Sequence, residues 1–199
     1  MDEPLTPELL VRAYAQGFFP MGEEDGSIAW YWPDPRTIIP LDHFHVPRRL
    51  AQTVRQKRFS IAIDRDFEGV LRGCADREET WITEPIVAAY TALHQQGLAH
   101  SIEAYKGGRL AGGIYGVSLG GAFMGESMFT RVTDASKVCL VHLVERLRAR
   151  GYTLFDVQFT TEHLKRFGAV EIPRKEYLRR LARAVRLDCR FVNEESWAD

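Results

Sequence analysis

The chain has 199 residues, 45% hydrophobic and 27% charged, with 26 Lys+Arg against 27 Asp+Glu for a formal charge of -1. This is globular rather than disordered composition, long enough for one large or two small domains that need neither disulfide nor metal to fold. No apolar run reaches the ~18 residues of a membrane span, and the acidic start MDEPLTPELL is expected not to be a secretory signal. Cys74, Cys139 and Cys189 form no C-x-x-C, so the expected compartment is a reducing cytoplasm.

Residues 6–17 predict a short helix, with Thr6 as N-cap, Pro7 at its first position and Gly17 as its stop. The stretch FFPMGEEDGSIAWYWPDPRTIIP (18–40) is too rich in Gly and Pro for a long regular element. Residues 47–57 read as a basic helix, 60–64 as a strand, 66–75 as a short helix and 84–97 as a helix closing on Gly97. Three alternating runs then follow at 100–106, 109–118 and 121–129, separated by glycine turns. Asp134 is the expected N-cap of a helix that Gly151 ends. YTLFDVQF (152–159) is a strand, TTEHLKRFGA a short helix, and Pro173 opens a last helix with Leu178, Leu181 and Val185 inward. The order implies an α/β (α+β) chain with a mixed sheet, divided into a smaller N-terminal domain (1–78) and a larger second domain (79–199).

Charge is uneven. The first 25 residues hold Asp2, Glu3, Glu8, Glu23, Glu24 and Asp25 against Arg12 alone. Arg48, Arg49, Arg55, Lys57 and Arg58 stand in 43–58 without an acid, and 146–190 hold twelve Lys/Arg against five Asp/Glu. Each patch alone reads as a solvated face; two of them together suggest a polyanionic partner.

Side chains alternate faces along 152–159, so Leu154, Asp156 and Gln158 share one face and Phe155, Val157 and Phe159 the other. An acid inside so apolar a strand costs several kcal/mol, on the order of 2–7, unless it is paired. Asp156 with Gln158 is therefore either a structural polar pair pinning the next helix or a functional one. Glu126 follows Gly125 in GAFMGESMF, where the glycine allows a bulge or the close approach of a ligand. Phe123, Met124, Met128 and Phe129 alone would be core; the acid among them points to a pocket. His43 and His45 can share a strand face but lack a third metal ligand at a recognisable spacing. His142 reads as a packed core histidine. No G-x-S-x-G elbow, phosphate loop or H-E-x-x-H is present.

The motifs AYAQGFFP (13–20), WYWPDPR (30–36), GCADRE (73–78), TWI (80–82), AHSIE (99–103), GGIYGV (112–117), GESMF (125–129), ASK (135–137), FDVQF (155–159) and FGAVEIPR (167–174) occur in one order. Together they resemble the leucyl/phenylalanyl-tRNA–protein transferase family from Ala13 to about Val185. The resemblance implies a GNAT-like C-terminal domain. It also implies transfer of Leu or Phe, less readily Met, from aminoacyl-tRNA to the α-amine of proteins beginning with Arg or Lys. The product would enter the bacterial N-degron pathway. No cofactor, metal or membrane is implied, because the ester is already activated.

By the same resemblance Asp156 polarises Gln158, whose carbonyl oxygen accepts from the attacking amine, and Glu126 holds the amino group or sugar of the aminoacyl-adenosine. Ile114, Phe123, Gly125, Met128, Leu143 and Phe155 would form the amino-acid pocket. The terminal adenine would stack among Trp30, Tyr31, Trp32 and Trp81, as single-stranded bases do. Members often carry two adjacent tryptophans where this chain has Trp30-Tyr31-Trp32, and some carry Asn at Thr161. Arg48, Arg49, Arg55, Lys57, Arg58 and the basic residues of 179–186 become tRNA backbone contacts. Two alternatives stand beside this reading. One is an acyl-CoA-dependent N-acetyltransferase, disfavoured by the glycine-free TRVTDAS (130–136) with Asp134 where pyrophosphate would sit. The other is a non-catalytic tRNA-binding module.

Overall fold

The computed structural model describes residues 5–23 and 25–193; Asp2, Glu3 and Glu24 of the acidic stretch lie outside them. Helix α1 (Pro7–Ala15) starts as its sequence dictates, Thr6 Oγ1 accepting from Leu9 N at 3.2 Å. The Gly- and Pro-rich stretch then makes three short strands, β1 (Phe19–Gly22), β2 (Ile28–Tyr31) and β3 (Arg36–Ile38). The first two pair only with each other, whereas β3 enters the main sheet. Three residues between prolines carry no legible alternation, so β3 exists because neighbours on both sides supply its hydrogen bonds.

The chain continues through α2 (Arg48–Arg55), β4 (Ser60–Ile63), α3 (Phe67–Ala75), α4 (Glu84–Gln95), β5 (Ala99–Lys106), β6 (Arg109–Leu119) and β7 (Ala122–Thr130). It ends with α5 (Ala135–Ala149), β8 (Leu154–Gln158), α6 (Glu162–Lys165), β9 (Val170–Ile172) and α7 (Arg174–Ala184). The main sheet runs β4-β5-β6-β7-β8-β3-β9. Its one parallel pair, β7 with β8, is the pair that α5 connects, as a parallel crossover requires. This is the mixed α/β sheet expected. Strands from both sides of residue 78 share it.

Alternation sorts the core into two layers. Leu10, Leu71, Tyr90, Tyr115 and Leu181 bring α1, α3, α4 and α7 onto one face of the sheet. Leu50, Ile114, Val141 and Leu164 bring α2, α5 and α6 onto the other. Three local expectations need correction. Asp134 does occupy the N-cap position of α5, but in the left-handed region (φ 71°) and without a side-chain capping hydrogen bond; its carboxylate takes Lys137 Nζ at 2.9 Å instead. His142 is half-buried beside Glu145 rather than packed in the core. His43 and His45 share no strand: His43 ends a single 3₁₀ turn, His45 follows it, and both are exposed.

Candidate active site

The site begins with two interruptions in the sheet. Between β6 and β7 the register steps from Tyr115↔Ser127 to Gly116↔Gly125, leaving Glu126 as the unpaired residue of a bulge. Gly116 permits it, because a Cβ there would stand 2.3 Å from the Met124 carbonyl oxygen. Between β7 and β8 the parallel ladder runs from Ala122↔Leu154 to Met124↔Asp156 and stops. Beyond it the two strands part, and a cavity of about 300 Å³ opens between them. That is the lower end of the range for small-molecule sites.

Ile114, Met128, Leu140, Phe155 and Val157 supply its apolar wall, and Glu126, Gln158 and Arg77 its polar groups. Gln158 Nε2 donates to Glu126 Oε1 at 3.1 Å, and Tyr90 Oη donates to Glu126 Oε2 at 3.4 Å. The Tyr14 and Tyr90 hydroxyls are hydrogen-bonded to each other behind that contact. Burial pushes the Glu126 carboxyl up to about 8. Asp156 adds to the rise, while the tyrosine hydrogen bonds and Arg36 oppose it.

Asp156 and Gln158 are next to each other, but not in the way alternation suggests. The Asp156 carboxylate is fully buried and receives Arg36 Nε at 2.9 Å, Arg36 Nη2 at 2.6 Å and Tyr177 Oη at 2.9 Å. Its contact with Gln158 is to the main chain: Gln158 N donates to Asp156 Oδ1 at 3.0 Å. That short turn holds Gln158 in the left-handed region (φ 57°). Phe159 lines the cavity with Phe155 and Val157 and also packs edge-on against Phe19 at 5.7 Å. Arg36 is buried to 1% exposure. Burial opposes its charge, but Asp156 outweighs burial and raises its pKa above the ordinary guanidinium value. Arg36 also donates to the Gly17 carbonyl at 3.0 Å and lies over the Tyr177 ring, so it joins α1's end, β3, β8 and α7.

Most of the expected pocket residues meet: Ile114, Gly125, Met128 and Phe155 line the cavity with Glu126 and Gln158. Phe123 and Leu143 do not. Phe123 stacks on Phe191 in the core, and Leu143 is fully buried against the sheet while Leu140 faces the cavity. Thr161 lines the cavity and caps α6, accepting from Leu164 N at 3.2 Å. Of the aromatics, Tyr31 stacks on Phe19 and donates to Glu23. Trp32 already carries Phe18 at 5.0 Å and the Arg174 guanidinium at 3.8 Å from its ring centre. Trp30 is 38% exposed, and neither it nor Trp81 has a ring partner among the described residues.

Arg48, Arg49, Arg55, Lys57 and Arg58 are all exposed, and none of them pairs with an acid among the described residues. Arg179 and Arg180 are different, both tied to Glu176. Sequence reasoning missed Arg36, Tyr177, Tyr14 and Tyr90. Arg36 lies in a motif, but nothing periodic links it to a partner 120 positions away. The demand of a buried acid for a cation was the available signal.

Comparison with known proteins gives consistent results. A family model described as Leucyl/phenylalanyl-tRNA protein transferase matches residues 38–182, and the model for that family's N-terminal domain matches 3–34. A leucyl/phenylalanyl-tRNA–protein transferase of Rubrobacter xylanophilus is 60% identical over 94% of this chain and 99% of its own length. One from Salinibacter ruber is 55% identical over 93% of this chain and 82% of its own. Among solved structures, a GCN5-related N-acetyltransferase-like protein from Streptococcus suis is 17% identical, with a TM-score of 0.44 over 83% of this chain and 63% of that one.

Proposed function

The chain belongs to the leucyl/phenylalanyl-tRNA–protein transferase family and is a transferase, and we propose that it moves Leu or Phe, less readily Met, from aminoacyl-tRNA to the N-terminal α-amine of proteins beginning with Arg or Lys. The acceptor is then marked for N-degron proteolysis in a bacterial cytoplasm. The observation that carries this reading is the Gln158–Glu126 pair facing the apolar wall of the cavity.

The amine attacks the ester carbonyl as a neutral nucleophile. A C–N bond forms, the bond to the ribose oxygen breaks, and the proton lost by the amine balances the released ribose hydroxyl. Gln158 is suited to orient that amine. Its Nε2 is committed to Glu126, and no group among the described residues donates to its Oε1, which is left to accept from the amine N–H. Asp156 is a positioning residue: it fixes Gln158 through the main chain and is itself fixed by Arg36 and Tyr177. Glu126 holds the donor's amino group or sugar. A cationic amino group beside it favours its carboxylate form against the burial that raises it to about 8.

Ile114, Met128, Leu140 and Phe155 form the slot for the donor side chain. Discrimination by methylene-sized differences there is worth about 1–3 kcal/mol. The terminal adenine stacks on Trp30 or Trp81, because Tyr31 and Trp32 are engaged within the protein. The exposed cations of α2 follow the acceptor-stem backbone without reading its sequence. The decisive experiment is transfer from Leu- and Phe-tRNA to peptides beginning Arg, Lys, Asp and Ala. Product with Arg and Lys alone supports the reading, and no product with any peptide overturns it.

A further inference from the structure

A second cavity, of about 450 Å³, adjoins the first and shares Arg77 and Met128 with it. Gly73, Asp76, Phe129, Thr130 and Arg131 complete its lining. Two features set it apart from an ordinary surface dent. Arg77 is fixed by three neutral acceptors: its Nε donates to the Cys74 carbonyl at 2.7 Å, and its Nη2 to Ser127 Oγ at 2.9 Å and the Met128 carbonyl at 3.1 Å. These bonds hold the guanidinium in place without neutralising it. Its Nη1 has no hydrogen-bond partner among the described residues. Arg131 is exposed and held over the Phe129 ring, 5.2 Å from its centre, also without a carboxylate within ion-pair distance among the described residues.

We propose that this cavity binds the phosphodiester one nucleotide upstream of the aminoacylated adenosine, with Arg77 and Arg131 as its two cationic walls. The inference rests on the donor being an aminoacyl-tRNA. An acceptor strand whose last residue occupies the first cavity must leave it, and the shared wall formed by Arg77 and Met128 is a route that meets uncompensated positive charge. A fixed guanidinium presents its N–H groups as a preformed fork to phosphate oxygens. Asp76 is the one carboxylate in the lining among the described residues, exposed and paired with neither arginine. It opposes an anion there, and so gives the proposal a sign that can be checked.

The test compares two small donors, phenylalanyl-adenosine, which has no phosphate, and phenylalanyl-cytidylyl-adenosine, which has one phosphodiester. The readout is the ratio of their kcat/KM values for transfer to an Arg-starting peptide. A charge-assisted contact predicts a ratio of about ten in favour of the dinucleotide. Arg131→Gln should bring the ratio close to one, Arg131→Lys should keep part of it, and Asp76→Asn should raise it. Arg131 has only a ring contact to lose, so unfolding midpoints close to that of the unaltered protein should accompany these changes. A ratio near one in the unaltered protein, or one indifferent to Arg131→Gln, overturns the proposal. So does an Asp76→Asn variant that leaves the ratio alone and raises KM for the Arg-starting peptide, since the cavity would then read the acceptor's cation. Transfer from Phe-tRNA with none from either small donor also overturns the proposal, whereas no transfer from any of the three donors means that the aminoacyl-transfer reading itself fails and takes this inference with it.

Discussion

Replacing Asp156 by alanine removes four hydrogen bonds at once, two from Arg36, one from Tyr177 and one from the Gln158 main chain. It also leaves a guanidinium of 1% exposure without its counter-charge. Breaking one side of such a buried pair costs about 3–5 kcal/mol. At about 2–4 °C per kcal/mol for a chain of this size, the melting temperature should fall by roughly 6–20 °C. Asp156→Asn should be similarly destabilised, because its amide cannot neutralise Arg36. It can still accept from Gln158 N, however, so it should keep more turnover than the alanine variant. The double variant Arg36→Met/Asp156→Leu should recover much of the lost stability, since it leaves no charge stranded. Urea unfolding with an unchanged m-value measures the stabilities, and single-turnover transfer measures the positioning of Gln158. An alanine variant within about 1 kcal/mol of the unaltered protein would refute the energetic part. Equal turnover losses for Asn and Ala would refute the positioning part.

The Glu126 carboxyl favours its neutral form in the fold, with a value near 8 against an ordinary 4.5. The stability this adds is complete below about pH 4.5 and is lost as pH rises through 8, on the order of a few kcal/mol. Urea midpoints should therefore fall more steeply between pH 5 and 8 than in Glu126→Gln; parallel profiles would contradict the assignment. Changing Arg48, Arg49 and Arg55 to Gln should weaken tRNA binding and reduce the salt slope by about 1 for each phosphate-binding arginine replaced, read by filter binding across a salt series. Trp30→Ala or Trp81→Ala should cost about 1–3 kcal/mol in aminoacyl-tRNA affinity, whereas Trp32→Ala should chiefly lower stability. Met128→Ala should alter the Leu/Phe/Met preference more than tRNA affinity; equal losses for all three donors would place the pocket elsewhere.

Elements with a strong period were legible in the chain alone. The Thr6 cap, the amphipathic stripe of α7 and the alternation through β5, β6 and β7 follow from local sterics and hydrophobic spacing, which residues carry with them. The acid beside Gly125 was legible for the same reason: a carboxylate in an apolar run needs an explanation wherever it is placed. The relation of Asp156 to Gln158 was half legible. Their spacing of two put them near each other, but the left-handed turn that routes the contact through the main chain has no mark in the sequence.

Local spacing therefore carries the mixed sheet, its helices and most of the apolar and acidic residues that meet in the first cavity. Folding in three dimensions was needed to see that β3 joins that sheet, that Arg36 neutralises Asp156 from 120 positions away, that Leu140 rather than Leu143 faces the slot, and that Trp32 is already covered. The physical reason is common to all four. Periodicity and capping act over a few neighbouring residues, whereas ion pairing, strand insertion and ring stacking depend on which distant surfaces the chain brings together.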